Sequence, residues 1–182
     1  MALLRRITAC ALVFAALLAA GQARAQATSL EVAIKATLLY KFSPFVDWPD
    51  GRFATPSTPV NLCVLGDDPF DGVLDDALRT RPAGDRPIVL HRVNTLTGPA
   101  IPCDIVFVGG TAAESRAKML AIIGKAPVLT VTDDATDPAA TGIINFVIAQ
   151  NKVRFQIDEA AAKRAGLDIS SKLLSLAVSV RQ

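Results

Sequence analysis

Four short apolar runs alternate with helix-patterned segments across the middle of the chain, and this rhythm limits the fold more than any other feature. Val60 to Leu65, Ile88 to Val93, Asp104 to Val108 and Val128 to Val131 read as strands. The first is apolar on both faces, as a central strand must be. Between these runs, Asp68 is placed to cap a helix with Pro69 at its first position, and Phe70, Val73, Leu74, Ala77 and Leu78 continue it as an apolar stripe. Thr111-Ala112-Ala113-Glu114 forms a capping box for another helix, which Gly124 closes. The pattern then changes. Ile143 to Ile148 and Val153 to Ile157 flank Gln150-Asn151-Lys152 as a hairpin. Together these predict an α/β fold, a three-layer α/β/α sandwich whose mixed sheet ends in a C-terminal β-hairpin.

The flanks add three helices. Thr28-Ser29-Leu30-Glu31 is a second capping box, followed by Leu30, Ile34, Leu38 and Phe42 at helical spacing, with Pro44 as the kink or end. An aromatic-rich exit, Phe45 to Pro49, leads to a turn at Asp50-Gly51. Asp158 caps a short helix ended by Gly166, and Ser170 or Ser171 opens a last helix carrying Leu173, Leu174, Ala177 and Val178.

Ahead of all this, Arg5 and Arg6 precede an uncharged run of 14 residues, Ile7 to Ala20, and then the small-x-small signal Ala23-Arg24-Ala25. That is the layout of a secretory signal peptide, and the run falls short of the roughly 20 residues that span a bilayer. Cleavage is expected after Ala25, giving a signal peptide over 1–25 and a single exported domain over 26–182. Arg5, Arg6 and Arg24 leave with the signal, so the 19 Lys and Arg fall to 16 against 17 Asp and Glu, a balance of −1. With no basic run left, nucleic acid is not an expected partner. Two cysteines remain, Cys63 and Cys103. An even count in an oxidising compartment favours a disulfide, with two separately buried thiols as the alternative.

Reactive groups are sparse. His91 is the sole histidine and sits inside a strand pattern, so neither a histidine metal site nor a histidine triad has its parts. Ser115-Arg116-Ala117-Lys118 matches the S-x-x-K nucleophile motif, but the S-D-N and K-T-G elements that accompany it are absent. Gly109-Gly110-Thr111 enters a helix N-terminus, where a small anion or ligand could sit, yet no G-x-G-x-x-G or P-loop lysine is present. Asp133, Asp134 and Asp137 lack the glycine and distal glutamate of a calcium loop and read as a solvated acidic turn. No catalytic residue, metal or cofactor is therefore assigned, and binding is expected rather than catalysis. Trp48, the only tryptophan, lies beside Pro49 and near Phe53. It reads as a core anchor under the first helix or, with Pro49 and Phe53, as an exposed aromatic patch for a partner.

Taken in order, several blocks resemble the YfiR-like family of periplasmic proteins. They are Ala36-Thr37-Leu38-Leu39-Tyr40-Lys41-Phe42, Phe45-Val46-Asp47-Trp48-Pro49, Leu62 to Phe70, Cys103 to Gly109, Pro127 to Val131, Gly142 to Phe146, Val153 to Ile157 and Ala165 to Leu174. The resemblance implies a Rossmann-like domain that binds and inhibits an inner-membrane diguanylate cyclase of the YfiN type. It also implies that an outer-membrane lipoprotein of the YfiB type draws the repressor away, raising cyclic-di-GMP and promoting biofilm formation. Cys63 and Cys103 fall where the family places a disulfide, whereas the second cysteine pair of some members is missing here. Asp104 and Thr141-Gly142 stand where the family often has His and Gly-Gly. The resemblance leaves room for a homodimer. The alternative function is a small-molecule-binding periplasmic accessory domain for another sensor system.

Overall fold

The computed structural model describes residues 29–80, 86–94, 102–110 and 113–182, without the side chains of residues 113 and 114. The expected signal peptide, the Thr28 cap and the Thr111 capping box lie outside these residues. Helix α1 covers 29–41 and passes through a 3₁₀ turn at Ser43–Phe45 into a two-residue strand, β1 (Val46–Asp47). The core follows as β2 (Val60–Leu65), α2 (Gly72–Arg79), β3 (Ile88–Val93), β4 (Ile105–Val108), α3 (Ala113–Ile123) and β5 (Leu129–Asp133). Then come β6 (Ile144–Ala149), β7 (Lys152–Asp158), α4 (Glu159–Arg164), β8 (Asp168–Ile169), α5 (Ser171–Leu174) and β9 (Ser179–Arg181).

Seven strands form one mixed sheet in the order β3-β2-β4-β5-β6-β7-β9. The first five are parallel, β7 returns antiparallel on β6 as the expected hairpin, and β9 runs parallel to β7. The order reverses at β2, whose neighbours are the strands that follow it in the chain, as in doubly wound α/β sheets. Parallel strands need cover on both faces, and both faces receive it. Leu62, Val64, Ile105, Phe107, Leu129, Val131, Ile144 and Phe146 pack in one cluster with residues of α1 and α2. Cys63, Leu65, Val106, Val108 and Val128 pack in a second cluster with Met119, Leu120 and Ile123 of α3. This is the expected three-layer arrangement.

Several local expectations shift. Leu30 and Ile34 are exposed at 62% and 38%, while Ala36, Leu39, Tyr40 and Phe42 are buried. Helix α1 is rolled so that Lys35, only 6% exposed, donates to Glu31 at 2.5 Å and to Asp133 at 2.6 Å. Burial works against the lysine's charge, but hydrogen bonds to the two carboxylates outweigh it and hold its pKa above the ordinary value. Asp133 is accordingly the end of β5 and part of an ion pair, not a residue of a solvated turn. Asp68 does not cap α2. Its Oδ1 accepts from the Phe70 N–H at 2.8 Å and its Oδ2 from Arg92 Nε at 2.7 Å, so a turn forms first and swings Phe70 onto Phe107, ring centroids 4.7 Å apart. The helix starts at Gly72, behind Asp71, which makes no side-chain cap.

At the C-terminus α5 stops at Leu174, and the expected helical residues Ala177 and Val178 lie outside it. The free edge of β7 captures the backbone: the Val178 N–H donates to the Phe155 carbonyl at 2.9 Å, and β9 follows in register. Asp158 does cap α4, accepting from the Ala161 N–H at 2.8 Å. Burial opposes its charge, but the Arg181 guanidinium and the Ala161 N–H overcome this and lower its pKa. Gly124 closes α3 at φ +58°, as expected.

Cys63 on β2 and Cys103 just ahead of β4 form a disulfide with Cα atoms 5.9 Å apart, both residues at most 4% exposed. Chain entropy assigns such a bridge, across 40 residues, about 4 kcal/mol of stabilisation. The double variant Cys63→Ala/Cys103→Ala should therefore unfold at a lower denaturant midpoint than the oxidised parent and close to that of the reduced parent. Equal midpoints for variant and oxidised parent in denaturant titrations would count against a stabilising bridge.

Candidate functional site

The segment leaving α1 cannot continue as helix, because Pro44 has no N–H to give it. It turns through the 3₁₀ segment and extends as β1, which pairs antiparallel with β8 through Val46↔Ile169 and Asp47↔Asp168. The Ser170 N–H adds a bond to the Phe45 carbonyl at 2.9 Å. Neither short strand carries a run long enough to be read from sequence. Their pairing brings the exit of α1 against the C-terminal third of the chain and fixes where Trp48 and Pro49 emerge. Pro49 lies over Gly166, whose φ of +71° suits a residue without a side chain.

Trp48, Pro49 and Phe53 come together in one open groove of about 450 Å³, which Tyr40, Val60 and Ile88 also line. Trp48 is half-buried and packs against the main core, so it serves both as anchor and as groove wall. Its ring meets Phe53 edge-on, centroids 5.5 Å apart. Two guanidinium groups in turn lie over Phe53, Arg52 at 5.0 Å and Arg86 at 4.6 Å from its centroid. Arg86 also donates to the Thr55 and Thr58 carbonyls at 2.7 and 2.8 Å, which ties the loop to the approach of β3.

The deepest tie is Arg52. Its Nε and Nη2 donate to Asp104 Oδ1 and Oδ2 at 2.5 and 2.7 Å, and the Asp104 side chain is only 1% exposed. The Asn61 N–H donates to the same carboxylate at 2.8 Å. A bidentate guanidinium and a backbone donor together satisfy a charge that burial would otherwise make costly. Sequence reasoning missed this pair. The partners are 52 positions apart, and the only hint was Asp104 standing where His is common in the resembling family.

The groove, the disulfide and every strand of the sheet except the terminal β9 fall within residues 32–178, the span matched by the family model described as YfiR/HmsC-like. The chain belongs to the YfiR/HmsC-like family. Comparison with curated proteins gives no match.

The other singled-out residues of this YfiR/HmsC-like chain are scattered around the sheet. His91 Nε2 lies 3.2 Å from Asn61 Oδ1, a structural contact between β3 and β2. Ser115 and Lys118 are exposed on α3. No group of three or more His, Cys, Asp or Glu suited to a metal ion occurs among the described residues. Gly109 is buried, and a side chain there would strike the Asp67 carbonyl, so the two strand-to-helix turns close on each other. Beside that closure lies a crevice of about 440 Å³ at the C-terminal ends of the parallel strands, lined by Asp67, Gly110, Arg116, Asp133 and Asp134. Its carboxylates disfavour a small anion at Gly109, one of the occupants that the helix N-terminus left open. Arg116 Nε and Asp133 Oδ1 are buried there without a hydrogen-bond partner among the described residues. Asp137 stands apart, capping a 3₁₀ turn through the Ala139 N–H.

Breaking the Arg52–Asp104 pair should loosen the groove before it harms the sheet. Asp104→Ala leaves Arg52 and the Asn61 N–H without their acceptor, and we expect a loss of about 3 kcal/mol. Arg52→Ala should cost a similar amount by stranding the buried carboxylate. Denaturant unfolding followed by the single tryptophan's fluorescence checks both, and midpoints equal to the parent's would show the pair to be dispensable.

Proposed function

We propose that this chain is a non-enzymatic periplasmic regulator that binds and inhibits a membrane-bound diguanylate cyclase of the YfiN type, without cofactor. In this reading the chain is exported and cut after Ala25, and residues 26–182 act as one domain. An outer-membrane lipoprotein of the YfiB type withdraws it, which raises cyclic-di-GMP and promotes biofilm formation. The observation that carries the reading is the family match over residues 32–178. Two further features agree with it. A disulfide suits an oxidising compartment, and no helix among the described residues is long and apolar enough to cross a membrane. Trp48, Pro49 and Phe53 are the proposed partner surface, a half-buried aromatic anchor with an open groove beside it.

The test is reconstitution. The cyclase should make less cyclic-di-GMP when this chain is present and should co-purify with it. Trp48→Ala should weaken the interaction by about thirtyfold, the effect of a binding hot spot worth roughly 2 kcal/mol. An unchanged cyclase rate with no co-purification would remove the reading.

The crevice with Arg116 and Asp133 favours a second reading, a ligand-binding accessory domain for another sensor system. A donor and an acceptor left unpaired in one concavity suit a solute that carries both a cationic and an acceptor group. On that reading small zwitterionic solutes raise the unfolding temperature of the parent but not of Arg116→Ala. A flat response across such solutes would leave the regulator reading alone.

A further inference from the structure

Two Asp–Gly pairs stand in this chain, Asp50–Gly51 and Asp71–Gly72, and the fold treats them differently. We infer that Asp71–Gly72 is a site of spontaneous covalent modification, where the chain closes a succinimide and reopens it as isoaspartate. This does not depend on the regulator reading. In the closing step the Gly72 amide nitrogen attacks Asp71 Cγ. An N–Cγ bond forms, and the amide proton leaves with the hydroxyl of the neutral carboxyl as water, giving a five-membered ring. Water then opens the ring at either carbonyl. Opening at the main-chain carbonyl leaves Gly72 bonded through Cγ, which is isoaspartate, and opening at Cγ restores aspartate. Only water is lost and regained, so no oxidant, metal or enzyme is required.

Ring closure makes a demand on the backbone. The attacking nitrogen must eclipse Cβ, which at an L-residue with substituents spaced evenly around Cα is a ψ of about −120°. Asp71 has φ +48° and ψ −134°, a conformation rare outside glycine that brings the Gly72 nitrogen close to that plane. Arg92 holds it there: its Nη2 donates to the Asp71 carbonyl at 3.0 Å, while the same guanidinium is fixed to Asp68 and Asp75. The reacting groups are free to meet. Gly72 is the first residue of α2, where no preceding turn offers its N–H an acceptor, and the Asp71 carboxylate makes no cap hydrogen bond. Both residues are exposed, so water reaches the ring. Asp50 is placed otherwise. The Arg52 N–H donates to the Pro49 carbonyl at 3.2 Å, and Gly51 has φ +84° while Asp50 is not at positive φ. That is a type II turn, whose residue before the glycine has ψ of about +120°, so the Gly51 nitrogen is turned well away from Cβ.

The test ages the full exported chain, unsubstituted and folded, in heavy-oxygen water at neutral pH. It is then reduced, digested with trypsin and read by electron-transfer mass spectrometry, which distinguishes the two isomers. Cleavage after Lys41, Arg52 and Arg79 puts the pairs in separate peptides, 42–52 and 53–79. Synthetic peptides of the same spans supply the unfolded rates. Isoaspartate carrying one heavy oxygen should appear at residue 71 about tenfold faster in the folded chain than in its peptide, the rate equivalent of one residue's backbone fixed in advance. At residue 50 folding should slow the reaction instead. A folded-chain rate at residue 71 equal to its peptide's, or below it, would overturn the inference.

Discussion

Burial of β4 on both faces is the constraint from which the rest of the structure follows. All four of its residues are buried, and a strand in that position can be neither an edge nor a half-solvated ladder. It therefore draws β2 and β5 to its two sides and demands helices above and below. The disulfide just ahead of it joins its lead-in to β2, and the buried aspartate between bridge and strand must find a cation. Arg52 is that cation. The groove at Trp48 is thus held in place by a charge that the sheet itself makes expensive to leave alone.

This coupling bears on how the molecule could work. The loop carrying Trp48 and Phe53 is not a free surface segment: it is held by Arg52 to the start of β4, by Arg86 to the approach of β3, and by β1 to β8. A partner meeting this surface meets a preorganised wall and loses little ordering entropy there, which favours affinity for a given contact area. The aromatic pair gives that wall shape and apolar area.

The two ends of the sheet carry different potential. One end presents an aromatic groove. The C-terminal ends of the parallel strands present an acidic crevice with a single fixed guanidinium, in the region where open α/β sheets usually bind ligands. The close approach of Asp67 to Gly109 fills the point where strand order reverses, leaving the crevice displaced toward β5.

The sequence by itself determined the layering. The apolar run at Val60–Leu65, the run read from Asp104 to Val108, which begins one residue later at Ile105, and the stripe after Phe70 were legible because strand and helix periodicities are local properties. The hairpin, the Asp158 cap and the family resemblance were legible for the same reason, since each lies in contiguous residues. Trp48, Pro49 and Phe53 could be singled out by type, but not shown to share a groove. Tertiary structure alone decided the roll of α1 around Lys35, the early end of α5, the pairing of β1 with β8 and the Arg52–Asp104 bond. Each of these is settled by a partner tens of positions away in the chain. Local propensity differences are only tenths of a kcal/mol per residue, and a buried charge or an open strand edge outweighs them.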